Sequence, residues 1–219
     1  MNGLDYDIRG LARRAIIALY ITAIAEVALM ALSVMTLQYY TALEDGRQIP
    51  AYLGVESGLF DTITAVIAFG YLIVYFICVV ICAFWIYRAA SNAEKIMPSD
   101  ERITAGWCVG WYFVPFMNLW KPFQGMKHIW NSRAGGADLN SPLPSNASWW
   151  WGCWVASNIL GNLQFRLSSN DNISNLINSE YVGLLASPFS IVAAILFAGL
   201  IREVTDMQEQ NAGVASVFE

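Results

Sequence analysis

The sequence predicts an all-α integral membrane protein: four transmembrane helices, a re-entrant or interfacial tryptophan-rich segment, and an amphipathic helix on the cytoplasmic face. Three observations predict this class. Of the 219 residues 57% are hydrophobic and only 13% charged, where soluble domains carry about 25% charged residues. Four stretches reach the ~20 apolar residues that a helix needs to cross a bilayer. Between the second and third of them lies Trp107-Cys-Val-Gly-Trp-Tyr-Phe-Val-Pro-Phe-Met-Asn-Leu-Trp-Lys-Pro-Phe-Gln124, apolar but broken by Pro115 and Pro122.

The first apolar stretch follows Arg13 and Arg14 and covers about 15–37. It is too long for the apolar region of a signal peptide, which has about 7–15 residues, and Asp5 and Asp7 stand where such a peptide is basic. Residues 1–14 are therefore expected to be a cytoplasmic lead and 15–205 one membrane domain. The second stretch covers about 60–87, more than a bilayer needs, so it tilts or projects into water. The third covers about 149–167 and opens on Trp149, Trp150, Trp151 and Trp154, as at a headgroup boundary. The fourth covers about 181–201, and residues 206–219 read as a polar cytoplasmic tail. A linker rich in Gly, Pro and Ser fills 135–146.

Charge sets the orientation. Of twelve Lys and Arg residues, ten fall on one side if the four stretches cross: Arg9, Arg13, Arg14, Arg88, Lys95, Arg102, Lys121, Lys127, Arg133 and Arg202. Arg47 and Arg166 fall on the other. The positive-inside rule then puts both termini in the cytoplasm. The same bias bears on Ile103–Met117, about 22 Å long as a helix. Cations flank it on both sides, so a crossing would export half of them. The interfacial segment, 103–133, is expected to dip in and return. After Pro115 a helix restarts, with Asn118 as its expected N-cap and Pro122 in the first turn. Leu119, Trp120, Phe123, Met126 and Trp130 form its apolar face. Lys121, Gln124, Lys127, His128 and Asn131 form the wet one, suited to an anionic leaflet or to self-packing.

Glu26 is the residue most in conflict with its surroundings. It falls near the middle of the first stretch, where charge costs at least about 2–3 kcal/mol, so an ionisable group there is a candidate functional site. At similar depth stand Tyr71, Tyr75, Asn158, Ser187 and Ser190, with Asn162 one turn from Asn158. One reading is a proton or cation site. The other is a polar clamp in which neutral Glu26 bonds Asn158 and fixes helix register. Cys78, Cys82, Cys108 and Cys153 read as small buried hydrophobes, and the single histidine, His128, as exposed.

No GxSxG, HExxH, CxxCH or phosphate-binding loop occurs. No catalytic set, metal site or cofactor is expected, and no nucleic-acid partner. Partners are expected to be membrane lipids of an anionic inner leaflet, other membrane subunits, or a second copy. The leading expectation is a non-enzymatic accessory or scaffold subunit. The alternative is a small transporter or ion or proton conduit centred on Glu26 and Asn158.

Trp85-Ile-Tyr-Arg88-Ala-Ala-Ser-Asn92, followed by Gly110-Trp111-Tyr-Phe-Val-Pro115-Phe-Met-Asn118-Leu-Trp-Lys121-Pro122-Phe-Gln124, resembles the bacterial membrane family called domain of unknown function 4328 (DUF4328) over about residues 60–205. The resemblance implies a multi-span protein of the bacterial inner membrane and no activity. Within the motif, Arg88 is placed to reach carbonyls freed before Pro115 and Pro122, pinning the segment to the second span. A lipid phosphate facing Arg88 and Lys121 is the alternative.

Overall fold

The computed structural model describes residues 8–48, 57–96, 103–132, 142–169 and 172–217. No strand occurs among them. The helices are α1 (Ile8–Glu44), α2 (Ser57–Ile96), α3 (Ala105–Gly110), α4 (Lys121–Asn131), α5 (Ser145–Ser168) and α6 (Ile173–Val217), with 3-10 turns at Trp111–Phe113 and Met117–Leu119. Three helical stretches are long and apolar enough to cross a membrane: Ile8–Glu44, Thr62–Ile96 and Ile173–Gln210. α5, with 24 residues, forms where the remaining span is expected, but it is shorter and less apolar than the other three. Asn158, Asn162 and Gln164 dilute its apolar run.

The helices outrun the apolar stretches. α2 has 40 residues, about 60 Å at 1.5 Å per residue. α6 stays helical to Val217, through most of the expected tail, and Gln208 is buried there. Most of the linker, and Arg133, lie outside the described residues.

The chain divides into two compact units. The first comprises Met1–Leu19, Ile77–Trp151 and Leu196–Glu219. Its core sets Trp85 among small residues, with Ala89, Ala90 and Ala93 on α2 and Ala12 and Ala15 on α1 all buried. Leu200, Ile201 and Val204 line α6. Trp150 stacks on Phe197 at 4.7 Å, and Trp85 meets the same ring edge-on at 6.0 Å. Such pairs add about 0.5–1.5 kcal/mol beyond burial. The second unit comprises Tyr20–Phe76 and Gly152–Ile195. Tyr39 is buried there against Phe60 at 4.7 Å. A Cβ on Gly183 would stand 2.5 Å from Gln164 Nε2, so the glycine lets the amide lie on the α6 backbone.

Within the first unit, residues 103–131 form a hairpin. α3 and α4 pack on each other, and a Cβ on Gly125 would lie 3.3 Å from Cys108 Sγ. The bend falls between Pro115 and Met117, where Phe116 takes φ 63°, a region that L-residues avoid. Two expectations change here. Trp120, not Asn118, is the cap residue of α4, and no side chain caps it. Asn118 sits instead in a 3-10 turn, its N–H donating to the Val114 carbonyl at 3.0 Å. Asn131, expected on the wet face, is fully buried. The covered face of α4 is Pro122, Gly125, Met126, Ile129 and Trp130, rotated from the expected one because Gly125 is where α3 approaches.

Candidate functional site

Two polar constellations emerge, one in each unit. In the second unit, Glu26 is the middle residue of the 37-residue α1, about 27 Å from either end. The hydroxyls of Tyr71 on α2 and Ser190 on α6 are the polar groups that face its carboxyl. Tyr75 stacks one turn on from Tyr71 at 6.1 Å. The two asparagines turn elsewhere. Asn158 Nδ2 donates to the Trp154 carbonyl at 2.7 Å and Asn162 Nδ2 to the Asn158 carbonyl at 2.8 Å. Ser187 Oγ donates to the Gly183 carbonyl at 3.1 Å. Short polar side chains in a helix have a carbonyl of the preceding turn within reach, and these three take it. The structure thus brings together Glu26, Tyr71 and Ser190, with Tyr75 behind them. Two further matches lie along the same helices: Ser33 with Glu180 and Ser174 with Glu44 at 2.6 Å.

In the first unit the motif residues build the hairpin and its seat. Asn92 is buried and gives Nδ2 to Gln208 Oε1 at 3.3 Å, while Gln208 Nε2 donates to the Ala89 carbonyl at 2.9 Å. Trp85 Nε1 donates to Thr205 Oγ1 at 3.2 Å. These bonds tie the end of α2 to α6. Arg88 is half-buried on the same turn of α2. Trp111 stacks on Trp107 at 4.5 Å, with Lys121 Nζ 5.9 Å from its ring centre, within cation–π range. Trp151 Nε1 donates to the Leu119 carbonyl at 3.0 Å, and its ring meets Tyr112 and Phe123. Pro122 is buried in the first turn of α4, where its missing N–H does least harm. Pro115 and Gln124 are exposed. Burial, with the Cys108 and Cys82 thiols alongside, pushes the Tyr112 phenol well above the ordinary tyrosine range.

Two residues that fix the hairpin were not expected. Glu94 Oε1 accepts the Ala105 N–H at 2.7 Å, which caps α3 in place of Thr104. His128, expected in water, is half-buried and accepts the Ile103 N–H on Nδ1 at 3.2 Å. All four cysteines are buried thiols, none of them in a disulfide. Among the described residues no three His, Cys, Asp or Glu side chains gather as for a metal ion.

No curated protein and no solved structure matches the chain. The sequence model of the family described as "Domain of unknown function (DUF4328)" matches residues 54–206. That stretch holds both parts of the Trp85–Gln124 motif and most of the two hydrogen-bonded helices that seat it, and the chain belongs to this family.

Proposed function

We propose that this is a non-enzymatic protein of the bacterial inner membrane, an accessory or scaffold subunit that packs against other membrane proteins and anionic lipid. One observation carries the reading. The most apolar windows of α1, α2 and α6 are only 17%, 11% and 33% buried within the chain. α2 shows a broad apolar face, with Val66, Phe69, Leu72 and Phe76 all more than half exposed. Such a face is suited to lipid or another protein.

In this reading α5 crosses as well, making four spans with both termini cytoplasmic. Within the second unit Gln164 of α5 lies against Gly183 of α6, and within the first Trp150 stacks on Phe197. The hairpin is then the re-entrant element. It doubles back on itself and carries Phe113 and Phe116 at its bend, 69% and 78% exposed. Lys121 stands beside the aromatic seat, where a lipid phosphate is within its chemistry.

The test is what accompanies the chain out of the membrane. A photo-cross-linking residue at position 69 or 72, followed by gentle-detergent purification, is expected to capture a defined second membrane protein. Recovery of the chain alone, cross-linked only to lipid, would count against the subunit role. The second reading, a conduit at Glu26, is favoured by the hydroxyls of two other helices that face Glu26.

A further inference from the structure

The chain enters the hairpin through a turn that three helices hold. The Ile103 N–H donates to His128 Nδ1 on α4 at 3.2 Å. The Ala105 N–H donates to Glu94 Oε1 on α2 at 2.7 Å. The Cys108 thiol on α3 donates to the Ile103 carbonyl at 3.6 Å. Both N–H groups lie at the start of α3, where no carbonyl of an earlier turn is placed to take them. Side chains take them instead. All of these residues belong to the first unit. Ile103, His128 and Glu94 are half-buried, so water makes up for a lost partner only in part.

Both acceptors can take a proton, and they answer it differently. A carboxyl group that is protonated keeps an acceptor oxygen, so Glu94 holds Ala105 in either state. An imidazole that takes its second proton becomes a donor at both nitrogens. Nδ1–H would then point at the Ile103 N–H, donor against donor, and the bond cannot form. Histidine changes charge between about pH 8 and 5. The bond is therefore whole where the ring is neutral and is lost as pH falls. α4 packs on α3 and on the two 3-10 turns. The titratable or charged groups brought to His128 are Cys108 from α3, Tyr112 from the first of those turns, Glu94 from α2 and Lys127 on α4 itself. Asp100, Glu101 and Arg102 precede Ile103 in the chain, outside the described residues. Charge there moves the midpoint without altering which bond opens.

We propose that His128 is a pH-sensitive latch on the entry to the hairpin. Neutral, it ties Ile103 to α4. Protonated, it lets that segment go, while Glu94 keeps the start of α3 seated on α2. The chemistry is one proton taken from water by the imidazole and returned to it. Acid thus loosens one leg of the hairpin from the other at its base, the end opposite the exposed Phe113 and Phe116. The hairpin gains a loose and a tight state without any change in the helices that carry it. The latch is read from bonds within one unit and does not depend on the accessory role.

The test uses the full chain in nanodiscs of phosphatidylethanolamine and phosphatidylglycerol, followed by NMR from pH 8 to 5. His128 is the only histidine, so a ring label gives one signal and its titration needs no assignment. Amide exchange at Ile103 and Ala105 is measured over the same range, each corrected for the intrinsic pH dependence of exchange. Protection at Ile103 is expected to fall by about three- to tenfold, the worth of one hydrogen bond, with the midpoint of the ring titration. Protection at Ala105 should hold. In His128→Gln, which keeps an acceptor oxygen and cannot titrate, the step at Ile103 should disappear. Should that variant fail to fold, the two amides of the wild-type chain decide alone. Protection lost together at Ile103 and Ala105 would mean a general opening and overturns the latch. So does protection at Ile103 that ignores the ring titration, or the same step persisting in His128→Gln.

Discussion

Trp85 and Thr205 are joined across the first unit: the fully buried indole gives its N–H to the threonine hydroxyl at 3.2 Å, and that hydroxyl donates in turn to the Ile201 carbonyl at 2.7 Å. The bond fixes the register of α2 against α6 at the point where the motif begins. Thr205→Val keeps the volume and orphans a buried donor, at a cost of about 1–3 kcal/mol. Thermal unfolding in detergent should show a lowered midpoint. Trp85→Ala should lower it further, since removing so large a buried ring costs about 3–5 kcal/mol. An unchanged midpoint in Thr205→Val would mean that the indole finds another acceptor.

Glu94 holds the start of the hairpin through the Ala105 N–H. Thr104 occupies the cap position without using its side chain, so Glu94 is the main tether there. Glu94→Ala should cost about 1 kcal/mol, the usual loss of a cap. Glu94→Gln keeps an acceptor and should lose less. Amide hydrogen exchange at Ala105 reads this directly: faster in Glu94→Ala, near wild type in Glu94→Gln.

Much of this architecture was legible in the sequence because it follows from composition and local spacing. The apolar runs that became α1, α2 and α6, the proline break at 115, and Pro122 in a first turn all depend on neighbours in the chain. Glu26 stands out because an acid in an apolar run is costly wherever it points, and depth alone pointed to Tyr71 and Ser190 among several hydroxyls and amides. Asn158, expected as a partner, gives its Nδ2 to the Trp154 carbonyl of its own helix. A short amide has its own helix's carbonyl within reach, and distance along the membrane says nothing of that competition. Glu94 and His128 act across the turn into α3, and the pairs Ser33 with Glu180 and Ser174 with Glu44 depend on helix register. No spacing within one helix carries that information. The burial of Asn131 follows from the rotation of α4 that brings Gly125 to Cys108.

Phe116 holds φ 63° at the hairpin bend while 78% exposed. With ψ −44° this is a strained γ-turn, closed by the Met117 N–H donating to the Pro115 carbonyl at 2.7 Å; such backbone costs about 1–3 kcal/mol, and the side chain offers little internal packing in return. Phe116→Gly should therefore raise the unfolding midpoint in detergent, by about 1 kcal/mol in stability after the added freedom of the unfolded glycine is counted. A lower midpoint would show that the ring contributes more than the backbone loses.

Gly125 is where α3 and α4 come closest. A Cβ there would meet Cys108 Sγ at 3.3 Å and the Cys108 backbone at 3.6 Å. Alanine requires a shift of a few tenths of an ångström. Valine requires the helices to part, at about 1–3 kcal/mol for overpacking. Gly125→Val should expose Cys108 to a maleimide that wild type resists, while Gly125→Ala remains slow to react.

Tyr112 gives the hairpin a pH dependence with a definite sign. Burial holds its phenol above the ordinary tyrosine value of about 10, so in alkali the unfolded chain gives up this proton before the folded one. Where the folded state binds more protons than the unfolded, stability falls as pH rises. The contribution is whole below pH 10 and is lost progressively above it. The quantity to measure is the difference between wild type and Tyr112→Phe, which isolates this one group. Wild type should lose stability more steeply above pH 10, and the phenylalanine chain, with no proton to lose, should show the flatter slope. Parallel slopes would mean that Tyr112 ionises as freely in the hairpin as in the unfolded chain, and that the packing of Trp151 and Cys108 around it leaves water a path to the phenol.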